Sequence, residues 1–353
     1  MFGFLGNKSG SLVGLDIGSS SVKLVALSKS GKGFTLEAYA VVTLPPSAVI
    51  DGNIQDVAEV GYAIEKAVKV AGGKMSAAVS AVPSSAVITK RIEMSNAFTE
   101  FELEDQIKVE ADQFIPYPLD EVAIDFEVLG PVENNDSLDK VLLVACRKDD
   151  VEQREDAINS AGLKCEIVDV DTYAVERTFP LVSADHMDEE ALIGIVDIGA
   201  ATLTLNVFRG AEIVYSREQA FGGNDLTNSI HQQYGMSIEE VEQSLRLDDI
   251  SSEIQEMVVL PFRSTVAQQV SRSLQFFYSS GAHSELNALY LSGGTSTIEG
   301  LADQLEEDIG IPTRMANPFV DMTVNSRVNR SRLERDAPSL IKACGLAMRG
   351  FEE

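Results

Sequence analysis

The chain has 353 residues, which is more than one hydrophobic core usually spans, so its length predicts two domains. Hydrophobic residues make up 44% of it, as in globular proteins. Acidic residues outnumber basic ones, with 55 Asp and Glu and only 28 Lys and Arg. The formal net charge of -27 argues against a nucleic-acid partner and against direct adhesion to anionic lipid. We interpret the acidity as a source of solubility.

Cysteines and apolar stretches indicate the compartment. Cys146, Cys165 and Cys344 are far apart, with no metal-site spacing, which is typical of reduced thiols in a cytoplasm. The beginning, "MFGFLGNKSG", lacks the pattern of a signal peptide, and polar residues interrupt the longest apolar region. We therefore expect a cytoplasmic protein that meets a membrane only through a partner.

The first predicted element is a β-hairpin over Leu12–Leu27, "LVGLDIGSSSVKLVAL". Two apolar runs flank a turn that contains Asp16, Gly18 and three serines. Backbone N–H groups, hydroxyls and a carboxylate are the groups that hold a phosphate chain and its Mg²⁺. A polar turn without a ligand is the alternative interpretation.

The middle of the first half predicts a strand, a helix and two further strands. Alternation predicts strands at Val87–Met94, Val122–Gly130 and Lys140–Arg147. Apolar residues at helical spacing predict a helix over Phe101–Ile115.

The second half repeats the opening motif in "LIGIVDIGAATLTLNVF", where Asp197-Ile198-Gly199 matches Asp16-Ile17-Gly18. A repeat this far apart predicts two related domains rather than a solenoid. The two hairpins could clamp a phosphate chain from both sides of a cleft. Asp16 and Asp197 would then hold Mg²⁺, mainly through water.

Two glycine pairs follow the second hairpin. Gly222 and Gly223 precede a predicted helix, and Gly293 and Gly294 follow the predicted strand of "ALYLSGGTSTIEGL". Glycine allows close approach of the backbone to a flat ligand, and Thr295 or Ser296 is predicted to cap the next helix. A plain strand-to-helix turn is the alternative. The polar segment Asn317–Asp336 predicts a surface connection.

The motifs at Asp16–Lys23, Asp197–Leu205 and Leu291–Thr295, in this order, resemble the phosphate-1, phosphate-2 and adenosine motifs of the actin/Hsp70/sugar-kinase ATPase superfamily. The strand-helix-strand-strand segment resembles the inserted subdomain of the cell-division protein FtsA. The stretches "QFIPYPLDEVAIDFEV" and "DAPSLIKACGLAMRG", with the N-terminal stretch, resemble the PilM family of type IV pilus assembly proteins.

This resemblance implies a two-domain α/β fold of the actin/Hsp70-like ATPase type. Domain one would span residues 1–179, with the FtsA-like subdomain inserted at about residues 86–147. Domain two would span residues 180–335, and residues 336–353 would form a C-terminal helix that returns to domain one.

The resemblance also implies ATP and Mg²⁺ as ligands. The expected nucleotide-binding residues are Asp16, Gly18, Ser19, Ser20, Ser21, Lys23, Asp197, Gly199, Ala200, Ala201, Thr202, Gly222, Gly223, Glu242, Gly293, Gly294 and Thr295. Bacterial actins use an acidic and a basic residue on the corresponding helix, where Glu239, Glu240 and Glu242 could each reach the ribose. Glu242 is included for this reason; the lysine of that pattern is missing, and Arg246 is a loose substitute. A solvated charged face is the alternative for that helix.

The implied partner is the short cytoplasmic N-terminal tail of the inner-membrane protein PilN, together with other pilus assembly proteins. The resemblance implies an apolar tail that contains an arginine, so its groove would need apolar and acidic groups. This would place the protein at the inner face of the inner membrane. Residues expected to contact the tail are Glu93, Phe114, Ile115, Pro116, Tyr117 and Asp120. Self-association is left open.

Two classes of function fit the sequence. The favoured one is a nucleotide-gated adaptor that hydrolyses ATP slowly or not at all; an active ATPase or small-molecule kinase is the alternative. Asp169 and Asp171 are the candidates to orient an attacking water. We favour their interpretation as caps of the helix that begins near Thr172.

Overall fold

The computed structural model describes residues 11–31, 33–133, 135–184, 188, 190–247, 249–281 and 285–352. The first ten residues, on which the prediction about a signal peptide rests, lie outside the described residues. In the described part of the chain, no helix is both long enough and apolar enough to cross a bilayer.

The first half of the chain builds one large sheet and a small inserted one. Its elements are β1 (Ser11–Ile17), β2 (Ser21–Ser30), β3 (Gly33–Thr43), β4 (Val49–Ile50), β5 (Asn53–Ile54), α1 (Val57–Ala71), β6 (Met75–Val82), β7 (Ile88–Ser95), α2 (Glu100–Ala111), β8 (Val122–Val132), β9 (Asn135–Arg147), α3 (Lys148–Ser160), β10 (Lys164–Val170) and α4 (Asp171–Val182).

The second half builds another large sheet and then returns to the first one. Its elements are β11 (Leu192–Ile198), β12 (Leu203–Arg209), β13 (Glu212–Gln219), α5 (Gly223–Tyr234), α6 (Ile238–Leu247), α7 (Ser252–Ile254), α8 (Leu260–Ser279), β14 (Ala288–Ser292), α9 (Leu301–Ile309), β15 (Thr313–Met315), β16 (Thr323–Val324), α10 (Arg330–Asp336) and α11 (Ile341–Arg349). A π-helical turn, Gln255–Val259, joins α7 to α8.

The two large sheets have equivalent topologies. The first has the strand order β10-β6-β1-β2-β3-β16, and the second has the order β13-β12-β11-β14-β15. In each, three antiparallel strands follow one another, and the first of them pairs in parallel with a later strand. The predicted repeat of two hairpins is therefore confirmed. Asp16 lies opposite Lys23, and Asp197 lies opposite Thr204 at the equivalent position.

Helices cover both faces of each large sheet, which explains why the central strands are almost continuously apolar. Helices α1 and α3 pack on one face of the first sheet, around Ile64 and Ile158. Helices α5, α8 and α9 pack on one face of the second sheet, around Val266 and Leu305. Helices α11 and α4 lie on the opposite faces.

The contact between α11 and its neighbours leaves no room for side chains. A Cβ atom at Gly14 of β1 would overlap the carbonyl of Ala343 and the amide nitrogen of Ala347. A Cβ atom at Gly345 would overlap the carbonyl of Ala174 in α4. The glycines therefore fix α11 directly against β1 and α4, and Lys342 of its first turn lines the cleft.

The inserted sheet has the order β7-β9-β8 and carries α2 on one face. This is the predicted strand-helix-strand-strand order. Helix α2 ends at Ala111 rather than at Ile115, and hydrogen-bonded turns continue the chain to Ile115. Pro116 disfavours helical geometry at Ile115, so the chain leaves the helical path there.

Arg154 of α3 fixes the chain where the inserted sheet joins the first sheet. Its side chain is 1% exposed, and its guanidinium donates hydrogen bonds to the carbonyl oxygens of Ala81, Asp150 and Gly52, each at 2.7 Å. A fully buried guanidinium costs much less when its N–H groups are paired in this way.

The segment 317–336 is not the simple surface connection that its polar sequence predicts. It contains β16, which pairs with β3, and α10, and it buries Phe319, Met322 and Leu333 against the first sheet. These three apolar residues are too widely spaced to give a periodic signal. The chain thus rejoins the first sheet before residue 335; the division into domains at residues 179 and 335 stays a prediction.

We expect Gly345→Ala to lower the free energy of unfolding by about 1–3 kcal/mol, because the added methyl group forces α11 away from α4. Urea denaturation followed by circular dichroism measures this change. Gly33→Ala is the matched control, since nothing lies within 4 Å of its added Cβ. Equal stabilities of the two variants would contradict the close contact.

Candidate functional site

A cleft of about 1040 Å³ lies between the two large sheets. Its lining includes the turns after β1, β11 and β14, and the first turn of α4 and of α11. Of the seventeen predicted nucleotide-binding residues, sixteen lie in this lining and Gly222 lies directly behind it.

The two hairpin turns have the same backbone arrangement. Gly18 donates a hydrogen bond to the Ser21 carbonyl at 3.0 Å, and Gly199 donates one to the Thr202 carbonyl at 2.8 Å. Within the described residues, no hydrogen bond uses the N–H groups of the two residues that follow each glycine. Those residues are Ser19, Ser20, Ala200 and Ala201. Successive free N–H groups in a turn form an anion-binding nest, so both turns fit phosphate.

The glycine pairs hold the second turn from behind. Gly223 donates a hydrogen bond to the Gly199 carbonyl at 3.0 Å, and Thr295 Oγ1 donates one to the same oxygen at 2.8 Å. Gly293 has a φ of 89°, and a Cβ atom there would overlap the carbonyl of Ile198. Thr295 therefore supports the phosphate turn instead of capping a helix, because its hydroxyl is already used.

Opposite charges are paired on the floor of the cleft. Lys23 Nζ lies 3.1 Å from Asp16 Oδ2, and Lys342 Nζ lies 2.9 Å from Asp197 Oδ2 and 3.1 Å from Asp171 Oδ2. Burial alone would lower the pKa of Lys342, but the carboxylates of Asp197, Asp171 and Asp16 outweigh it and raise this pKa well above its usual value. Burial alone would raise the pKa of Asp197, but Lys342 and Lys23 bring it below its usual value.

These pairs limit the fit to a metal ion. Each carboxylate predicted to hold Mg²⁺ already contacts an ammonium group, and among the described residues no group of three or more metal-binding side chains converges. The free N–H groups of the turns are available to a phosphate chain, whereas ammonium groups already occupy the carboxylates that a bare cation would need. Contacts of Asp16 and Asp197 with Mg²⁺ stay a prediction.

Asp169 and Asp171 do not cap α4. Residue Val170 precedes the helix, and no side chain caps it. Asp171 lines the cleft, where it accepts a hydrogen bond from the Ser84 amide at 2.8 Å. Asp169 lies outside the cleft lining and pairs with Arg177 at 2.7 Å. The cap interpretation is wrong because each carboxylate has a tertiary partner, and Asp169 is not placed to act on a ligand in the cleft.

Comparisons with known proteins agree with this geometry. A solved structure described as the PilM-PilN type IV pilus biogenesis complex is 28% identical to this chain. The match covers 97% of this chain and 99% of that chain, with a TM-score of 0.80. The family described as type IV pilus assembly protein PilM matches residues 14–351. The chain belongs to the PilM family.

A more distant likeness concerns the fold alone. The ethanolamine utilization protein EutJ from Carboxydothermus hydrogenoformans is 17% identical, with a TM-score of 0.57 over 96% of this chain and 89% of that chain. Together with the PilM match, it confirms the predicted fold class, the two-domain actin-like α/β fold.

Lys342 and Glu218 are among the charged residues of this PilM-family cleft that the motifs do not include. Lys342 lies on α11, far along the chain from the hairpins, and the only sign of it is one cation in the apolar run "LIKACGLAM". Glu218 lies near the end of β13 and lines the cleft. Burial and the neighbouring Asp171 raise the pKa of Glu218, and its hydrogen bond with Ser85 lowers it in part.

Glu242 also lines the cleft, beside Leu245 and Arg246 of α6. Burial and the neighbouring Glu239 raise the pKa of Glu242. Its contact with a ribose stays a prediction, and Arg246 is the basic residue of the same helix.

The residues predicted to bind a partner lie on the inserted subdomain but have different surroundings. Ile115 is 7% exposed and belongs to the core beneath α2. Phe114 lies under Lys90, and Tyr117 lies under Arg147, at 5.7 and 5.8 Å from ring centroid to cation. Glu93, Pro116 and Asp120 are exposed. Ile115 is therefore buried, and a partner on this surface would contact the exposed residues around it instead.

The inserted subdomain also has a groove of about 310 Å³ that the motif analysis missed. We call it the insert groove, and its lining residues are Met94, Ser95, Asn96, Phe98, Glu100, Leu103, Phe126, Val128, Asp139 and Val141. None of the six predicted contact residues lines it. Apolar side chains form most of its surface, with two carboxylates at the rim.

We expect Glu218→Gln to raise the melting temperature at pH 8 by roughly one or two degrees. A carboxyl group whose pKa is raised by folding contributes stability below its unfolded pKa, and that contribution is lost as the pH rises through the folded value. The gain from Gln should therefore disappear near pH 4. Melting curves across this range measure it, with the exposed Glu334→Gln on α10 as the control. A gain that grows towards low pH would contradict this environment for Glu218.

Proposed function

We propose that this protein is a nucleotide-binding adaptor of type IV pilus assembly, with ATP in the cleft between the large sheets. The observation that carries the proposal is the pair of equivalent turns with free N–H groups in the lining of one cleft. A triphosphate between two such nests receives backbone hydrogen bonds from both sides. Mg²⁺ arrives with the nucleotide in this proposal.

The proposed partner is the N-terminal tail of PilN, bound to the inserted subdomain. The support is the membership in the PilM family and the likeness to a structure described as a PilM-PilN complex. The insert groove offers an apolar surface with Glu100 and Asp139 at its rim, which suits an apolar tail that contains an arginine. The protein would then be cytoplasmic and reach the membrane, and other pilus assembly proteins, through PilN.

The proposal includes slow hydrolysis at most. Asp171 is the only one of the two predicted catalytic candidates that lines the cleft. One of its oxygens accepts from the Ser84 amide and the other contacts Lys342, so both are engaged before any water is oriented. The cleft therefore suits binding better than rapid turnover.

Nucleotide and peptide would be coupled through the shape of the cleft. A ligand shifts a conformational equilibrium only by its difference in affinity for the two states. If ATP draws the two large sheets together, the cleft has an open and a closed state. The affinity for a peptide on the inserted subdomain then changes only if its binding surface differs between these two states. Any such coupling is reciprocal.

We expect Gly294→Val to reduce nucleotide affinity at least about tenfold while it leaves the free energy of unfolding within about 0.5 kcal/mol of the wild type. Gly294 lines the cleft, and nothing lies within 4 Å of an added Cβ, so we expect the backbone to accept a side chain that narrows the space for a ligand. Titration calorimetry with ADP and the non-hydrolysed analogue AMPPNP in Mg²⁺ measures the affinity. Unchanged binding by the folded variant would exclude the glycine pair from the nucleotide site.

We expect a labelled PilN N-terminal peptide to bind saturably in a fluorescence anisotropy titration. Val128→Lys should weaken that binding at least about tenfold, because it places a cation in the apolar insert groove where an arginine-containing tail would lie. Val109→Lys is the matched control, since Val109 is an exposed valine on α2 that does not line the groove.

The same titration separates the two candidate surfaces. If Glu93→Lys/Asp120→Lys weakens binding and Val128→Lys does not, the peptide lies at the predicted strand edge instead of the insert groove. Absence of binding by the wild-type protein, with and without Mg-ATP, would contradict the adaptor proposal. A difference between the two conditions gives the coupling free energy directly.

A further inference from the structure

Lys342 is an unusual residue for its position. Helix α11 is otherwise apolar where it packs, with Ile341, Ala343, Cys344 and Leu346 buried. Lys342 lies in the first turn of this helix, where the backbone dipole disfavours a cation. A lysine there is stabilised only if nearby carboxylates outweigh both the dipole and the partial loss of water.

The equivalence of the two hairpins shows what Lys342 replaces. In the first hairpin, Asp16 lies opposite Lys23 on the neighbouring strand and pairs with it. In the second hairpin, the residue opposite Asp197 is Thr204, which carries no charge. Lys342 reaches Asp197 from α11 and so supplies the second hairpin with the ammonium group that Lys23 supplies to the first.

Lys342 also contacts a second carboxylate. Its Nζ lies between Asp197 of β11 and Asp171 of α4, at 2.9 and 3.1 Å. Two carboxylates that face one point across a cleft are the arrangement that otherwise attracts a divalent cation. In this protein the Lys342 ammonium group lies at that point between Asp171 and Asp197.

We propose that the Lys342 ammonium group occupies the place of a carboxylate-bound divalent cation on the cleft floor. Asp171 and Asp197 therefore bind Lys342 rather than a metal ion, and nucleotide phosphate is met by fixed ammonium groups and turn amides. The metal that accompanies the nucleotide stays on the phosphates and water. The phosphate part of this inference rests on the proposed function, whereas its metal part concerns the protein alone.

The first test needs no nucleotide. Mn²⁺, a spectroscopic substitute for Mg²⁺, is titrated into the full chain at about 150 mM salt, which screens weak binding to the acidic surface, and free Mn²⁺ is measured by electron paramagnetic resonance. The wild type should bind no stoichiometric Mn²⁺ at the cleft. Lys342→Met should gain one site, at least about tenfold tighter than any wild-type binding, because Asp171 and Asp197 lose their cation.

Controls assign the gained site. Lys342→Met/Asp197→Asn should lose it, and Lys74→Met, at an exposed lysine, should behave as the wild type. Stoichiometric Mn²⁺ binding by the wild type that Asp197→Asn abolishes would overturn the proposal, as would a folded Lys342→Met protein without a gained site. If Lys342→Met does not fold, the comparison of wild type with Asp197→Asn still decides the question.

The second test uses a fluorescent ADP analogue. The wild type should bind it with an affinity that changes by less than about threefold between Mg²⁺ and EDTA, and Lys342→Met should show a dependence of at least about tenfold. A loss of more than about tenfold by the wild type in EDTA would overturn the phosphate part. If the wild type binds no nucleotide under either condition, the proposed function fails, and the Mn²⁺ titration still decides the metal part.

Discussion

The contact of α11 with β1 and α4 is the constraint on which the cleft depends. At Gly14 and Gly345 the backbones touch without intervening side chains, so the helix can take only one depth and one rotation. That placement carries Lys342 to a point between Asp171 and Asp197. The two glycines in the core thus determine which charges meet on the cleft floor. Through Lys342, α11 packs on the first sheet and also contacts Asp197 of the second.

The sequence predicts those parts of the site that are local in the chain. Two apolar runs around a short polar turn predict each hairpin, and the identical Asp-Ile-Gly sequences identify the repeat. Register then follows from the turn, which is why Asp16 and Asp197 occupy equivalent positions. Lys342 could not be placed in the same way, because its partners are set by how α11 packs and not by any spacing.

The errors have the same physical origin. Asp169 and Asp171 sit two residues apart at the start of a helix, which is a capping pattern, yet distant cations and amides bind both carboxylates. The segment 317–336 is polar, yet separated apolar residues and the pairing of β16 with β3 hold it against the first sheet. The insert groove was missed because its lining residues come from three strands, one helix and the segment between β7 and α2, which no single motif spans.

Arg154 has a consequence for how members of such a family diverge. Its hydrogen bonds go to the main-chain oxygens of Ala81, Asp150 and Gly52, a kind of acceptor that every amino acid provides. Substitutions at residues 81 and 150 therefore leave the acceptors in place, and the joint between the inserted sheet and the first sheet tolerates change at both. Selection on this joint should act on the arginine itself, while the surfaces that the inserted sheet presents are free to adapt to different partner sequences.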